Sequence, residues 1–293
     1  MQVSKVAKAL DYALQHAPSY APPKGIWGQN VTVQTSSGVK VNNNDNFDFK
    51  FSVPFDDNVE PDEATITIYN LSDSSAKKIK FNDKITITAG YGEDTGVIFM
   101  GRVARAFTNW QGVDRVTEIE AIDTHNLENV ELQDISYGPG TSAQTILKDL
   151  INKLGLPIAV QKFRRDYIYK DKVNITGMLF DNIKEYSEVC GVSTYINKQQ
   201  VYTRYIKDGD NIGFNIEVET GMIDDPQMFE EEQTAEDFKE TIKGYDVKLL
   251  LQYRITTAAI VNIKSRNVTG QYRVRSGKHT YDGINLITEI EII

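Results

Sequence analysis

The 293-residue sequence predicts a mainly β protein with a small α+β insertion. Three observations predict this fold class. Apolar and polar residues alternate through residues 64–122, with turn residues between the runs, which is the period of half-buried antiparallel strands. Residues 129–206 instead contain two helical patterns and one hairpin pattern. The motif Thr-Glu-Ile-Glu begins at both Thr117 and Thr288, which favours a duplicated β unit.

The first β unit is predicted over residues 26–128. Its early strands are VTVQT, GVKV and FDFKFSV, and the third places four apolar side chains on one face: Phe47, Phe49, Phe51 and Val53. Barrel interior is the favoured interpretation of this face, and a platform for stacking sugars or bases is the alternative. Farther along, Ser72-Asp73-Ser74 is placed to cap a short helix whose Ala76 and Ile79 face inward.

An acidic segment, residues 56–63, separates two of these predicted strands and contains Pro61. It lacks the alternating oxygen ligands and central glycine of a calcium-binding loop. We therefore expect a solvated turn with no bound metal.

The α+β insertion is predicted over residues 129–206. Thr141 is placed to cap a first helix that runs to Leu154, and Gly155 is placed to end it in the left-handed conformation. A second helix is predicted from Phe180 to Cys190, followed by a hairpin from Ser193 to Tyr205. This insertion also holds the chain's one basic and aromatic cluster, for which a solvated or subunit-contacting face is favoured over nucleic-acid binding: Lys162, Phe163, Arg164, Arg165, Tyr167 and Tyr169.

Composition excludes several classes of function. A net charge of −9 disfavours sequence-independent binding to nucleic acid. The single cysteine, Cys190, excludes an internal disulfide framework and a cysteine-based zinc cluster, and it is expected to be a small core residue. No apolar run is long enough to span a bilayer, and the N-terminus lacks the order of a signal peptide, so membrane insertion is not expected. Residues 1–25 are predicted to form an amphipathic helix over residues 3–16 and a proline-stiffened linker.

Residues with catalytic potential are scattered. His16, His125 and His279 lie in three different sections, with no nucleophile or metal-ligand spacing beside them. The acidic residues from Glu230 to Asp237 resemble a glycosidase carboxylate pair, but residues 225–244 are polar and charged and are predicted to form a mobile loop. We predict no catalytic, cofactor-binding or metal-binding residue, and no cofactor.

Trp27 and Trp110 are open to two interpretations. Packing at a barrel end is favoured, and exposure on a carbohydrate-binding surface is the alternative. Two alternative functions stay open: a cell-wall-degrading enzyme, which would use the acidic residues from Glu230 to Asp237, and a carbohydrate-binding module for host recognition, which would use the tryptophans.

Four segments carry a family resemblance: residues 66–72, 84–91 and 96–103 in the first β unit, and residues 219–226 near the start of the second. The first three resemble the first barrel, and the fourth resembles the turn that opens the second barrel, of baseplate hub proteins of contractile phage tails and phage-tail-like particles, the late control protein D-like or tail hub family. The resemblance implies two tail-tube-like antiparallel β-barrels, the second over residues 207–293, with the α+β domain on the outside of the assembly.

The same resemblance implies a structural protein and not an enzyme. Three copies would form a ring with an open channel between the tail tube and the central spike. The implied partners are the protein itself as a homotrimer, the tail tube protein, the central spike or tail-tip protein, and tape-measure and wedge proteins. The implied location is the baseplate of a virion or phage-tail-like particle assembled in the bacterial cytoplasm. From the net charge, we further expect an acidic channel wall.

Overall fold

The computed structural model describes residues 28–45, 47–123, 130–235 and 238–293, without the side chains of Asp134 and residues 232–242. The predicted N-terminal helix, His16, Trp27 and His125 lie outside the described residues.

Within these ranges the chain forms eighteen strands and three α-helices, which confirms a mainly β fold with an α+β insertion. The strands are β1 Gln29–Thr35, β2 Lys40–Asn42, β3 Phe49–Phe55, β4 Glu63–Tyr69, β5 Lys84–Tyr91, β6 Asp94–Gln111, β7 Asp114–Ile122, β8 Glu131–Tyr137, β9 Ile158–Gln161, β10 Val173–Met178, β11 Ser193–Asn197, β12 Gln200–Arg204, β13 Asp210–Ile216, β14 Gln227–Ala235, β15 Phe238–Leu250, β16 Ala259–Lys264, β17 Thr269–Tyr281 and β18 Leu286–Ile292. The helices are α1 Asp73–Ala76, α2 Ala143–Asn152 and α3 Leu179–Val189. None of the helices in the described parts of the chain has the length and apolar character needed to cross a bilayer.

The first β unit buries the side chains that the alternation predicts. Phe49, Phe51 and Val53 of β3 are buried, and they share one core with residues from β1, β2 and β4 to β7. Ser72 caps α1 as predicted, because its side chain accepts a hydrogen bond from the backbone N–H of Ser75 at 3.2 Å. The barrel-interior interpretation of the aromatic face of β3 is therefore confirmed.

The α+β unit packs α2 and α3 together over the β11–β12 hairpin. Its core contains Ile146, Leu150 and Ile183, and it buries Cys190 completely. Gly155 has the predicted left-handed φ of 66°. The predicted cap was wrong by one residue: Ser142 caps α2, while Thr141 donates its hydroxyl to the backbone oxygen of Gly138.

The second β unit has its own core, which includes Val247, Val261 and Ile290. It is not wholly antiparallel, because β13 and β16 pair in parallel across the long intervening β14–β15 excursion. The mobile loop predicted at residues 225–244 is wrong: β14 and β15 form a long antiparallel hairpin. This hairpin is polar because most of it extends beyond the core. β18 pairs with residues 245–250 of β15, so the earlier part of β15 pairs with β14 alone among the described strands.

One sheet runs through both β units, in the order β14-β15-β18-β17-β3-β4-β7-β6-β5-β1-β2. The units join where β17 pairs with β3, from Gly277 opposite Phe55 to Tyr281 opposite Phe51. The order β14-β15-β18-β17 repeats the order β3-β4-β7-β6, and β16 pairs with β17 as β5 pairs with β6. The duplication predicted from the Thr-Glu-Ile-Glu motif therefore extends to topology.

A pair of β-bulges marks the same repeat. β6 carries a bulge against β7 between Val103 and Arg105, and β17 carries one against β18 between Val274 and Ser276. The two bulges are separated by the same number of residues as Thr117 and Thr288. Equal spacing of bulges and motif is evidence for one duplicated unit, because bulges fix strand register locally.

Candidate assembly edges

The first candidate site is the outer edge of β6. This strand changes partner along its length: β5 pairs with it as far as Arg102, and β7 pairs with it from Arg102 to Gln111. From Arg105 onward, no strand among the described residues lies on its other side. Unpaired N–H and C=O groups on such an edge are a template for another strand.

The second candidate site is the outer edge of β14. β14 pairs with β15 on one side and ends the sheet on the other, within the described residues. The two edges therefore bound an eight-stranded segment that runs from β14 to β6. The β6–β7 turn lies at one end of this segment and the β14–β15 turn at the opposite end, as the ladder registers require.

Each edge carries a large exposed apolar side chain. Trp110 of β6 is 70% exposed and Met228 of β14 is 63% exposed. The predicted packing of Trp110 at a barrel end is therefore wrong, because β6 extends past β5 and no strand among the described residues covers the indole. Exposed apolar groups on an open edge are typical of interaction surfaces.

The face of the eight-stranded segment that points away from both cores is polar. On β3, β4, β6, β7, β15, β17 and β18, this face carries seven carboxylates and five cations. The carboxylates are Glu63, Asp114, Glu118, Glu120, Asp246, Glu289 and Glu291, and the cations are Lys50, Arg102, Arg105, Lys248 and Lys278. Glu289 pairs with both Lys248 and Lys278 at 2.8 Å. The face has a moderate acidic excess.

The acidic loop after β3, residues 56–62, ties the first β unit to the other two. Val59 is 4% exposed and packs in the α+β core. The backbone oxygen of Asp57 accepts a hydrogen bond from Ser193 Oγ, and its carboxylate pairs with Arg273 Nη1 at 2.9 Å. The prediction of a solvated turn is therefore wrong, since this loop is packed between three units.

Two acidic residues, Asp62 and Asp123, lie side by side where this loop enters β4. The backbone N–H of Asp62 donates to Asp123 Oδ1 at 3.1 Å, and Asp123 is 3% exposed. Burial, with the nearby negative charges, raises the pKa of Asp62 to about 9 and the pKa of Asp123 to about 8. Both carboxyls are therefore held in the neutral form near pH 7.

This pair predicts a stability that falls as pH rises. Because the folded-state pKa values lie above the unfolded ones, the folded chain binds more protons between about pH 4 and about pH 8, and alkali destabilises it. We expect Asp62→Asn to raise the free energy of unfolding by about 1–2 kcal/mol near pH 8 and to flatten its pH dependence. Urea denaturation at several pH values measures this, with Glu60→Gln, at an exposed residue of the same loop, as control. An unchanged pH dependence in Asp62→Asn would contradict it.

The candidate catalytic residues do not converge. His279 is 1% exposed, donates from Nε2 to the backbone oxygen of Ile255, and has its pKa lowered to about 3 by burial, so it is a neutral core residue. Glu230 and Glu231 point to opposite faces of β14 and pair with Lys243 and Arg275 respectively. Such a pair cannot flank one sugar. No group of three or more metal-ligating side chains occurs in the described ranges.

The basic and aromatic cluster lies on a surface loop that is held against the α+β unit. Arg165 donates to the backbone oxygens of Glu188 and Val189, and the guanidinium of Arg164 lies 3.9 Å from the ring centroid of Tyr205. Two of its cations therefore hold the loop on the α+β unit.

The fold is similar to those of phage tail and type VI secretion proteins. A 43 kDa tail protein of prophage MuSo2 from Shewanella oneidensis has a TM-score of 0.66 at 7% identity, over 90% of this chain and 96% of that chain. The E. coli c3393 protein, a type VI secretion component with structural similarity to T4 bacteriophage tail proteins gp27 and gp5, has a TM-score of 0.62 at 8% identity, over 89% of this chain and 76% of that chain. A chain of the Francisella PdpA-VgrG complex has a TM-score of 0.58 at 9% identity, over 100% of this chain and 61% of that chain.

Neither a known sequence family nor a curated protein matches the sequence. The likeness therefore lies in the three-dimensional arrangement, and the chain has the fold of phage tail proteins.

Proposed function

We propose that this protein is a non-enzymatic baseplate hub of a contractile phage tail or phage-tail-like particle. Three copies form a ring that joins the tail tube to the central spike and leaves a channel for cargo. The observation that carries the proposal is the eight-stranded segment, which consists of two equivalent halves and has an open edge at each end.

The junction between the two halves within the chain supports ring closure. β17 of the second unit pairs with β3 of the first, and by the repeat β6 is equivalent to β17 and β14 to β3. Pairing β6 of one copy with β14 of the next therefore repeats a junction that the chain already contains. Three copies of the eight-stranded segment give six similar units, which suits a six-fold tube on one side and a three-fold spike on the other.

The proposal gives each part of the chain a role. The three hydrophobic clusters support division into β, α+β and β domains over residues 26–128, 129–206 and 207–293, after the N-terminal segment 1–25. The polar face lines the channel, and its moderate acidic excess keeps polyanionic cargo from adhering. The two ends of the ring face the tube and spike, the α+β unit lies outside, and tape-measure and wedge proteins are further partners in a particle assembled in the bacterial cytoplasm.

The test is the mass of the purified protein by light scattering across a range of concentrations. We expect a species of three 33.1 kDa chains, with closed rings in electron micrographs. A species of any other closed symmetry, or a monomer at every concentration with and without its particle's spike, would overturn the hub assignment.

A further inference from the structure

The internal repeat specifies which residues face each other at the joint between copies. This inference rests on the proposed function, since it describes a contact within the ring. Thr108 and Thr117 share a hydrogen bond at 3.0 Å across β6 and β7, and His279 Nδ1 and Thr288 Oγ1 share one at 2.9 Å across β17 and β18. Thr117 and Thr288 begin the repeated motif, so Thr108 is equivalent to His279.

The same argument aligns β14 with β3. The repeated motif also makes Glu120 of β7 equivalent to Glu291 of β18. Following the strand pairings outward from these two glutamates gives further equivalent positions: Thr65 with Asp246, and then Ser52 with Gln227. One residue farther along, Met228 is equivalent to Val53.

The junction inside the chain then supplies the register. His279 lies opposite Val53, Thr280 opposite Ser52, and Tyr281 opposite Phe51. Transferred to the two open edges, these pairs become three antiparallel contacts between copies: Thr108 with Met228, Asn109 with Gln227, and Trp110 with Pro226.

Side chains at the internal junction are buried, whereas the equivalent side chains on the open edges are exposed. Tyr281 is 5% exposed, because its ring packs on Phe49 and Phe51 at centroid distances of 5.3 and 5.9 Å. Its equivalent, Trp110, is 70% exposed. Val53 is 1% exposed, and its equivalent, Met228, is 63% exposed.

We propose that Trp110 of one copy and Met228 of the next are the apolar anchors of the ring joint, in the register that places Thr108 opposite Met228. The occupant of each open edge is thus a second copy of this chain. Both anchors lie on the core-facing side of their strands, as Tyr281 and Val53 do, so joining the edges closes a core between copies. Buried aromatic anchors of this kind carry most of an interface's binding energy.

Cysteine cross-linking tests the register directly in the full-length chain. Two double variants, Thr108→Cys/Met228→Cys and Asn109→Cys/Gln227→Cys, place thiols at adjacent predicted pairs. One of any two adjacent antiparallel pairs is the closely spaced, non-hydrogen-bonded type. Oxidation with copper phenanthroline is expected to give covalent dimers and trimers in at least one of them. Cys190 is buried and its pKa is raised to about 11 by burial, so it is not expected to form a cross-link.

The matched control is Thr108→Cys/Gln227→Cys, which is shifted by one residue and places its thiols on opposite faces of the sheet. It should not cross-link. Trimers by mass in which neither in-register variant cross-links, or in which the shifted variant does, would overturn the register and leave the hub proposal standing. Absence of both trimers and cross-links would overturn the two together.

The anchor role has a separate readout. We expect Trp110→Ala to raise the dissociation constant of the ring about tenfold or more, because truncating a central aromatic anchor commonly has an effect of this size. Val113→Ala is the control, since Val113 is 89% exposed on the adjacent turn and lies outside the predicted register. Equal ring stability in the two variants would contradict a role for Trp110 in the joint.

Discussion

Replacing Val261 with aspartate is expected to abolish the folded second β unit, and with it any ring. Val261 has no exposed surface and lies on β16 within the second core. A carboxylate placed there has no partner, and burying an unpaired charge costs more than about 4 kcal/mol, a large part of a domain's total stability. Ile263, which is 2% exposed two residues farther along, should respond in the same way to glutamate. Circular dichroism with urea denaturation measures the loss.

Asn262→Asp is the matched control for this prediction. It adds the same charge to the same strand, but Asn262 points away from the core and bonds to Asn215 at 3.0 Å. We expect this variant to change stability by less than about 1 kcal/mol. A folded Val261→Asp variant with the unfolding midpoint of the native protein would show that the second core is not as closed as its burial indicates.

Removing the carboxylate of Asp57 is expected to destabilise the protein by about 3–5 kcal/mol, because it leaves a buried guanidinium without its counter-ion. The Arg273 side chain is 2% exposed, and its partner Asp57 is 14% exposed. Asp57→Ala also loosens the loop that ties the first β unit to its neighbours. Equilibrium unfolding in urea, followed by fluorescence, gives the change.

Two further variants test whether the lost stability comes from the buried ion pair. The double variant Asp57→Ala/Arg273→Met removes both charges of this buried pair and should regain much of the lost stability. Asp73→Ala removes the exposed partner of Arg115, and exposed pairs contribute about 1 kcal/mol or less. If Asp57→Ala costs no more than Asp73→Ala, the junction is not held by this ion pair.

Local patterns predicted the elements that local physics controls. The alternation of Phe49, Phe51 and Val53 identified a buried strand face, because strand periodicity is set by backbone geometry. Ser72 and Gly155 marked helix ends, since capping and left-handed backbone are properties of one or two residues.

Predictions failed where polar residues serve tertiary contacts. Residues 56–62 are predicted to form a solvated turn because five acidic side chains lie in or beside this segment. The segment is packed instead, because Asp57 forms an ion pair with Arg273, more than two hundred residues away in the chain. The β14–β15 arm is predicted to be a loop because its sequence has no apolar face. A two-stranded arm can pair through its backbone without such a face. Trp110 was expected to be packed, since composition cannot reveal that β5 stops short of it.

The sequence by itself determined the mainly β class, the helices of the insertion and the repeated motif, because periodicity and capping are encoded within a few neighbouring residues. Only the tertiary structure decided that both β units share one sheet, that their halves are equivalent, and that β6 and β14 have no further strand beside them within the described residues. Sheet order and edge exposure depend on which distant strands pair, and strands with similar alternation have no local signal that names their neighbour.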